Sequence, residues 1–112
     1  MKILIEDRKL SKIIDDKKKL VKKYGPENAK LLTMRFDQLK ATDNLGLALQ
    51  FKIGRCHALT GNYKGCYALD LDHPDRLIIR PVNDKDIDLS NIKNLALIDT
   101  IEVVEVVDYH GK

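Results

Sequence analysis

The chain has only two cysteines, no long apolar run, and aromatics at just 5% of its 112 residues, and each scarcity narrows what it does. A helix crossing a bilayer needs roughly 18 or more predominantly apolar residues, far more than any run here, so no transmembrane span is expected. The opening Met1-Lys2-Ile3-Leu4-Ile5-Glu6-Asp7 turns acidic after three apolar residues. Without an h-region or a small-residue cleavage site it does not read as a secretion signal, and the expected location is the cytoplasm. Cys56 and Cys66 stand outside any CxxC spacing, so reduced thiols are expected, with a disulfide across a hairpin as the alternative. His57 follows Cys56, but neighbours on a strand point to opposite faces and no second ligand pair appears at zinc-like spacing. Neither a metal nor a cofactor is expected.

What is present suits one small core: 44% of the residues are hydrophobic, and a chain of this length is hard to divide into two stable units, so residues 1–112 read as a single domain. The net charge of +3 hides an asymmetry. Residues 8–40 hold eleven Lys or Arg against four acids, whereas residues 83–112 hold three against seven. Lys17, Lys18, Lys19, Lys22 and Lys23 form a cluster that attracts phosphates or serves as a solvated helix face.

Residues 2–6 read as a brief edge strand. Leu10, Ile13, Ile14, Leu20, Val21 and Tyr24 then fall on one stripe, with lysines opposite, which predicts an amphipathic helix. Gly25 stops it, and Pro26 suits the first turn of a second helix, so a helical hairpin is expected. Ala29, Leu32, Phe36 and Leu39, widened by Leu31 and Met34, mark that second helix until Thr42-Asp43-Asn44 breaks the pattern. Leu45 to Gln50 suits a strand or a short helical turn equally. Strands are predicted over 51–59, 66–71, 76–82 and 101–107. The loop Thr60-Gly61-Asn62-Tyr63-Lys64-Gly65 makes the first hairpin, and His73-Pro74-Asp75 makes a second turn. Residues 83–98 read as a long loop with a helical turn. The fold class is therefore α+β: an N-terminal strand and helical hairpin packed on a small antiparallel sheet.

The stretch Arg55-Cys56-His57-Ala58-Leu59-Thr60-Gly61-Asn62-Tyr63-Lys64-Gly65, then Tyr67, Arg76-Leu77-Ile78-Ile79 and the ending Val107-Asp108-Tyr109-His110, resembles the HigB plasmid-maintenance killer proteins of the RelE/ParE superfamily. The resemblance runs over nearly the whole chain in the same order. It implies a RelE-like fold and the toxin of a type II toxin–antitoxin pair. Such a toxin enters the ribosome, cuts messenger RNA and is held inactive by a helix-turn-helix, HigA-like antitoxin. The implied partners are that antitoxin, the ribosome and mRNA, with no membrane.

Metal-free RNA cleavage needs a base for the 2′-hydroxyl, cations at the crowded phosphate and an acid for the leaving 5′-oxygen. His57, Tyr109 and His110 match the family's functional positions, and Arg76 matches an arginine at the scissile phosphate. Lys64, Arg80 and Arg55 are candidate RNA or phosphate contacts. An unperturbed imidazole titrates near neutral pH, which makes His57 and His110 the acid–base candidates, either in either role. Tyr109 is a stacking platform for a splayed base or a proton donor to the phosphate. The chain departs from the family at Thr60, often a lysine there, and at Asp70, an arginine in some members. Both changes remove positive charge and imply attenuated activity. The alternatives are a ParE-like gyrase-inhibiting toxin, which the terminal Tyr109-His110 disfavours, and a catalytically attenuated RNA- or antitoxin-binding protein on the same scaffold.

Overall fold

The computed structural model describes residues 1–107. The elements in chain order are β1 (Lys2–Leu4), α1 (Arg8–Ile14), α2 (Lys17–Lys40), α3 (Leu45–Gln50), β2 (His57–Ala58), β3 (Tyr67–Asp70), β4 (Arg76–Pro81) and β5 (Thr100–Val107). Short 3-10 turns occupy Ile53–Arg55, Gly61–Tyr63 and Ile92–Leu97. Among the described residues no helix is long and apolar enough to cross a membrane.

The first predicted helix is broken in two. The Asp7 carboxylate accepts from the Leu10 N–H to start α1, and Asp16 accepts from the Lys18 and Lys19 N–H groups to start α2. Carboxylates at these positions satisfy amide donors that have no partner in the first turn, which favours a new start at Asp16 over continuation. The phase of the stripe agrees: a continuous helix would want apolar residues near 17 and 18, where lysines stand.

Within α2 the backbone leaves helical geometry at Gly25, with φ 86° and ψ 162°. That region is open to glycine at little steric cost. Lys17, Leu20 and Val21 before the break line one groove with Ala29, Lys30 and Thr33 after it, so the chain changes direction at Gly25-Pro26, where the sequence placed the end of one helix and the start of the next. Ala29, Leu32, Phe36 and Leu39 are all buried, whereas Met34 at the stripe's margin is 40% exposed.

The five strands form one sheet in the order β1-β5-β4-β3-β2. Pairing is antiparallel from β2 to β5, but β1 runs parallel to β5, with Ile3 opposite Ile101. The sheet is therefore mixed, not the antiparallel sheet expected. A hairpin dictates direction only for strands close in sequence, and β1 reaches β5 through the whole intervening chain, long enough for a parallel crossover.

The strand predicted over 51–59 is reduced to His57–Ala58. Lys52, Gly54 and Arg55 all adopt left-handed φ, at 53°, 56° and 55°, and three such residues turn the chain instead of extending it. Leu45–Gln50 resolves as helix, with the Asn44 side chain accepting from the Leu47 N–H.

The helices cover one face of the sheet. Tyr67, Leu69, Leu77, Ile79, Ile101 and Val103 point to that face and join Leu20, Leu32, Phe36 and Leu39 in the core. The opposite face carries His57, Ala68, Asp70, Arg76, Ile78 and Arg80, alternating with the core residues as the pleat requires. A bulge in β5 sets this second face. Ile78 pairs with Glu105 but Ile79 pairs with Val103, so Val104 is the extra residue. Without it the period of two would send Glu105 into the core. With it, Glu105 accepts a hydrogen bond from the Tyr63 hydroxyl, and Val107 pairs with Arg76.

Candidate functional site

At the end of the sheet where β3 turns into β4, a cleft of about 600 Å³ is lined by Arg55, His57, Asp70, His73 and Arg76, with Leu71, Pro74 and Asp75 completing it. The polar side chains that line it arrive from separate pieces of backbone. His57 stands on β2 opposite Ala68. Arg76 begins β4 opposite Asp70. Arg55 ends the 3-10 turn before β2, and His73 sits in the β3–β4 turn next to a cis peptide to Pro74.

Helix α2 holds the floor of this cleft through two polar side chains. Asn28, 3% exposed, donates from Nδ2 to the Asp75 carboxylate at 2.6 Å and accepts the Asp72 N–H on Oδ1 at 2.8 Å. The turn closes on itself as well, the Asp75 N–H donating to the Asp72 carbonyl at 2.8 Å and the Leu71 N–H to the Asp75 carbonyl at 3.1 Å. Asp75 is fully buried, and burying a carboxylate is costly unless it is hydrogen-bonded, so the Asn28 contact contributes to holding this turn. Seven residues further along the helix, Arg35 donates from Nε to the Asp70 carbonyl at 2.8 Å and from Nη1 to Gln38 at 3.1 Å. Gly54 runs directly beneath that side chain, where a Cβ would come within 2.5 Å of Arg35 Nε.

His57 is oriented locally. Its Nδ1 lies 2.8 Å from the Arg55 carbonyl. A carbonyl oxygen only accepts, so the neutral ring carries its proton on Nδ1 and Nε2 keeps the lone pair. Arg55, 84% exposed at its side chain, pairs from Nε with the Asp70 carboxylate at 3.1 Å. The Asp70 carboxylate therefore offsets one of the cleft's two guanidinium charges. One residue before His57, on the inner face, Cys56 is buried, and burial pushes its thiol up to about 12, leaving it a neutral core residue at ordinary pH. Cys56 and Cys66 are both free, and the β2–β3 register places Leu59, not Cys56, beside Cys66.

Of the residues singled out in the sequence, His57, Arg76 and Arg55 are brought together in the cleft. Lys64 is exposed at the end of the 60–65 loop and does not line it. Arg80 lies four residues from Arg76 along β4, where one Nη donates to both Glu102 carboxylate oxygens at 3.0 and 2.9 Å. Tyr109 and His110 lie outside the described residues. Among the described residues no group of three or more His, Cys, Asp or Glu could hold a metal ion.

Sequence reasoning missed Asn28, Arg35 and His73. A signal existed for the first two: positions 28, 32, 35 and 39 share one helix face, and polar residues at 28 and 35 interrupt an otherwise apolar stripe. No family model, no curated protein and no solved structure matches the chain. The likeness to the killer proteins rests on the residues quoted for it alone.

Proposed function

We propose that this chain is the toxin of a type II toxin–antitoxin pair, a HigB-like, RelE-superfamily protein that cuts messenger RNA on the ribosome without a metal. The observation that carries the reading is the convergence of His57, Arg55 and Arg76, from three separate elements, on one open cleft. Those residue types meet the needs of 2′-hydroxyl attack on a phosphodiester. His57 Nε2 takes the 2′-hydroxyl proton while the Arg55 carbonyl holds the ring. Arg76 lies against the phosphate and offsets the charge that accumulates in the transition state. Tyr109 and His110 are the remaining groups that the family resemblance assigns to catalysis.

The test is inducible expression in a bacterial host with primer extension on a translated reporter message, beside Arg76→Ala and His110→Ala controls. Growth arrest with codon-phased cuts that vanish in both controls supports the reading. Arrest without cuts points to a ParE-like action on gyrase and overturns it. One observation favours the attenuated form of the reading: the Arg55–Asp70 ion pair at 3.1 Å withdraws a cation from the phosphate. Slow cutting by the parent chain that rises when Asp70 is neutralised is the outcome expected there.

A further inference from the structure

The cleft contains a second imidazole that no motif singled out. Along the outer face of the sheet, the backbone order is His57 level with Ala68, then Asp70 paired with Arg76, then His73 in the turn beyond. Two residues of strand, roughly 6.6 Å, separate the level of His57 from that of Arg76. Along the strand axis the level of Arg76 thus falls between those of the two histidines, with β3 separating β2 from β4 across the sheet, and all three side chains line the one cleft. In-line displacement at phosphorus puts the attacking and leaving oxygens on opposite sides, so it calls for a base and an acid reaching the phosphate from opposite sides, and the two histidines enter the cleft at levels on either side of Arg76.

His73 is also held for such a role. Its neighbours Asp72 and Asp75 are both bonded by Asn28 from the helix layer, and the turn closes on itself through the Asp75 N–H and the Asp72 carbonyl. The backbone carrying the ring is fixed while the residue itself is exposed to the cleft. Of the other cleft groups on described residues, the guanidiniums of Arg55 and Arg76 do not release protons in proteins. The Asp75 carboxylate is engaged by Asn28 and that of Asp70 by Arg55.

We infer that His73 is the general acid of this site, protonating the leaving 5′-oxygen while His57 deprotonates the 2′-hydroxyl. The inference rests on the RNA-cleavage reading above. In the step, the O2′–P bond forms as the P–O5′ bond breaks. One proton leaves O2′ for His57 Nε2 and another passes from His73 to O5′, giving a 2′,3′-cyclic phosphate and a 5′-hydroxyl with no further reactant.

The deciding experiment compares a ribosome-bound message of ordinary chemistry with one carrying a single bridging sulfur in place of O5′ at the cut position. A thiolate leaves without being protonated, so the sulfur message no longer needs the acid. His73→Ala and His73→Gln should both cut the ordinary message about 10²–10⁴-fold more slowly than the parent, and both should recover to within about tenfold of the parent on the sulfur message. His57→Ala should recover on neither. If the histidine serves only to hold the turn, the loss persists on the sulfur message, and the inference is overturned. Parental rates for both His73 variants on the ordinary message overturn it too while leaving the cleavage reading intact. A parent chain that cuts neither message removes the cleavage reading and the inference together.

Discussion

Strand β4 carries two arginines on one face, four residues apart, in opposite situations. At the far end Arg80 donates to both oxygens of Glu102, whose side chain is only 12% exposed. The hydrogen bond and the charge of that carboxylate push the guanidinium's already high pKa further up. At the near end Arg76 stands opposite Asp70 on one side and Val107 on the other. Asp70 turns its carboxylate to Arg55 at 3.1 Å, and among the described residues no ion pair engages Arg76. The same residue type on the same strand face is tied into an ion pair at one end and, among the described residues, left out of one at the other, according to whether its carboxylate neighbour across the ladder is engaged elsewhere. That neighbour is fixed by register, which local sequence does not state.

The largest expected effect breaks or upholds this contrast directly. Arg76→Ala should slow cleavage of a ribosome-bound message by about a hundredfold or more, the usual cost of one preorganised charge-stabilising group. Arg80→Ala should leave the rate within about threefold. Equal losses, read by primer extension on proteins with matching thermal melts, would erase the distinction between the two ends. Next comes the scaffold of the near end. Asn28→Ala strips the buried Asp75 carboxylate of its 2.6 Å donor, and chemical denaturation should show a loss of about 1–3 kcal/mol. No change in midpoint would mean that the turn is held without Asn28.

Asp70→Asn sharpens the contrast from the other side. It keeps the backbone carbonyl that Arg35 holds at 2.8 Å and removes the charge that pairs with Arg55. Cleavage should rise several-fold at low ionic strength and less at high, because salt screens an exposed guanidinium's pull on phosphate. A fall at low salt would show Asp70 to be orienting Arg55 rather than competing for it. Thr60→Lys, by contrast, adds charge on the 60–65 loop, which does not line the cleft, so its gain should be the smaller of the two.

How much of this was legible depends on the range of the interactions involved. The helical stripe 29, 32, 36 and 39 was, because burial on a helix follows a local period. The break before α2 was half legible: lysines at 17 and 18 interrupt the stripe, and Asp16 is a sound cap. The collapse of the strand predicted over 51–59 was not, since Gly54 must pass beneath Arg35 from another layer. The parallel pairing of β1 with β5 was equally non-local. In the site, Arg55, His57 and Arg76 were reached through a motif. His73 was left as a turn residue because turn chemistry specifies a backbone shape and says nothing of what its side chain faces.

The smallest effect tests the far end by itself. Arg80 is 52% exposed at its side chain and Glu102 12%, so the pair is neither a solvated surface contact nor a buried one. Exposed pairs couple by about 0.2–1 kcal/mol, and the partial burial of Glu102 puts the expected value at the upper end of that range. A double-mutant cycle of Arg80→Ala and Glu102→Gln, followed by chemical denaturation at low and high salt, measures the coupling free of either residue's other contacts. Coupling that weakens with salt keeps Arg80 as a sheet residue. Coupling near zero at both salts would leave the guanidinium available to phosphate, and the RNA-contact role expected of Arg80 from the sequence would stand beside that of Arg76.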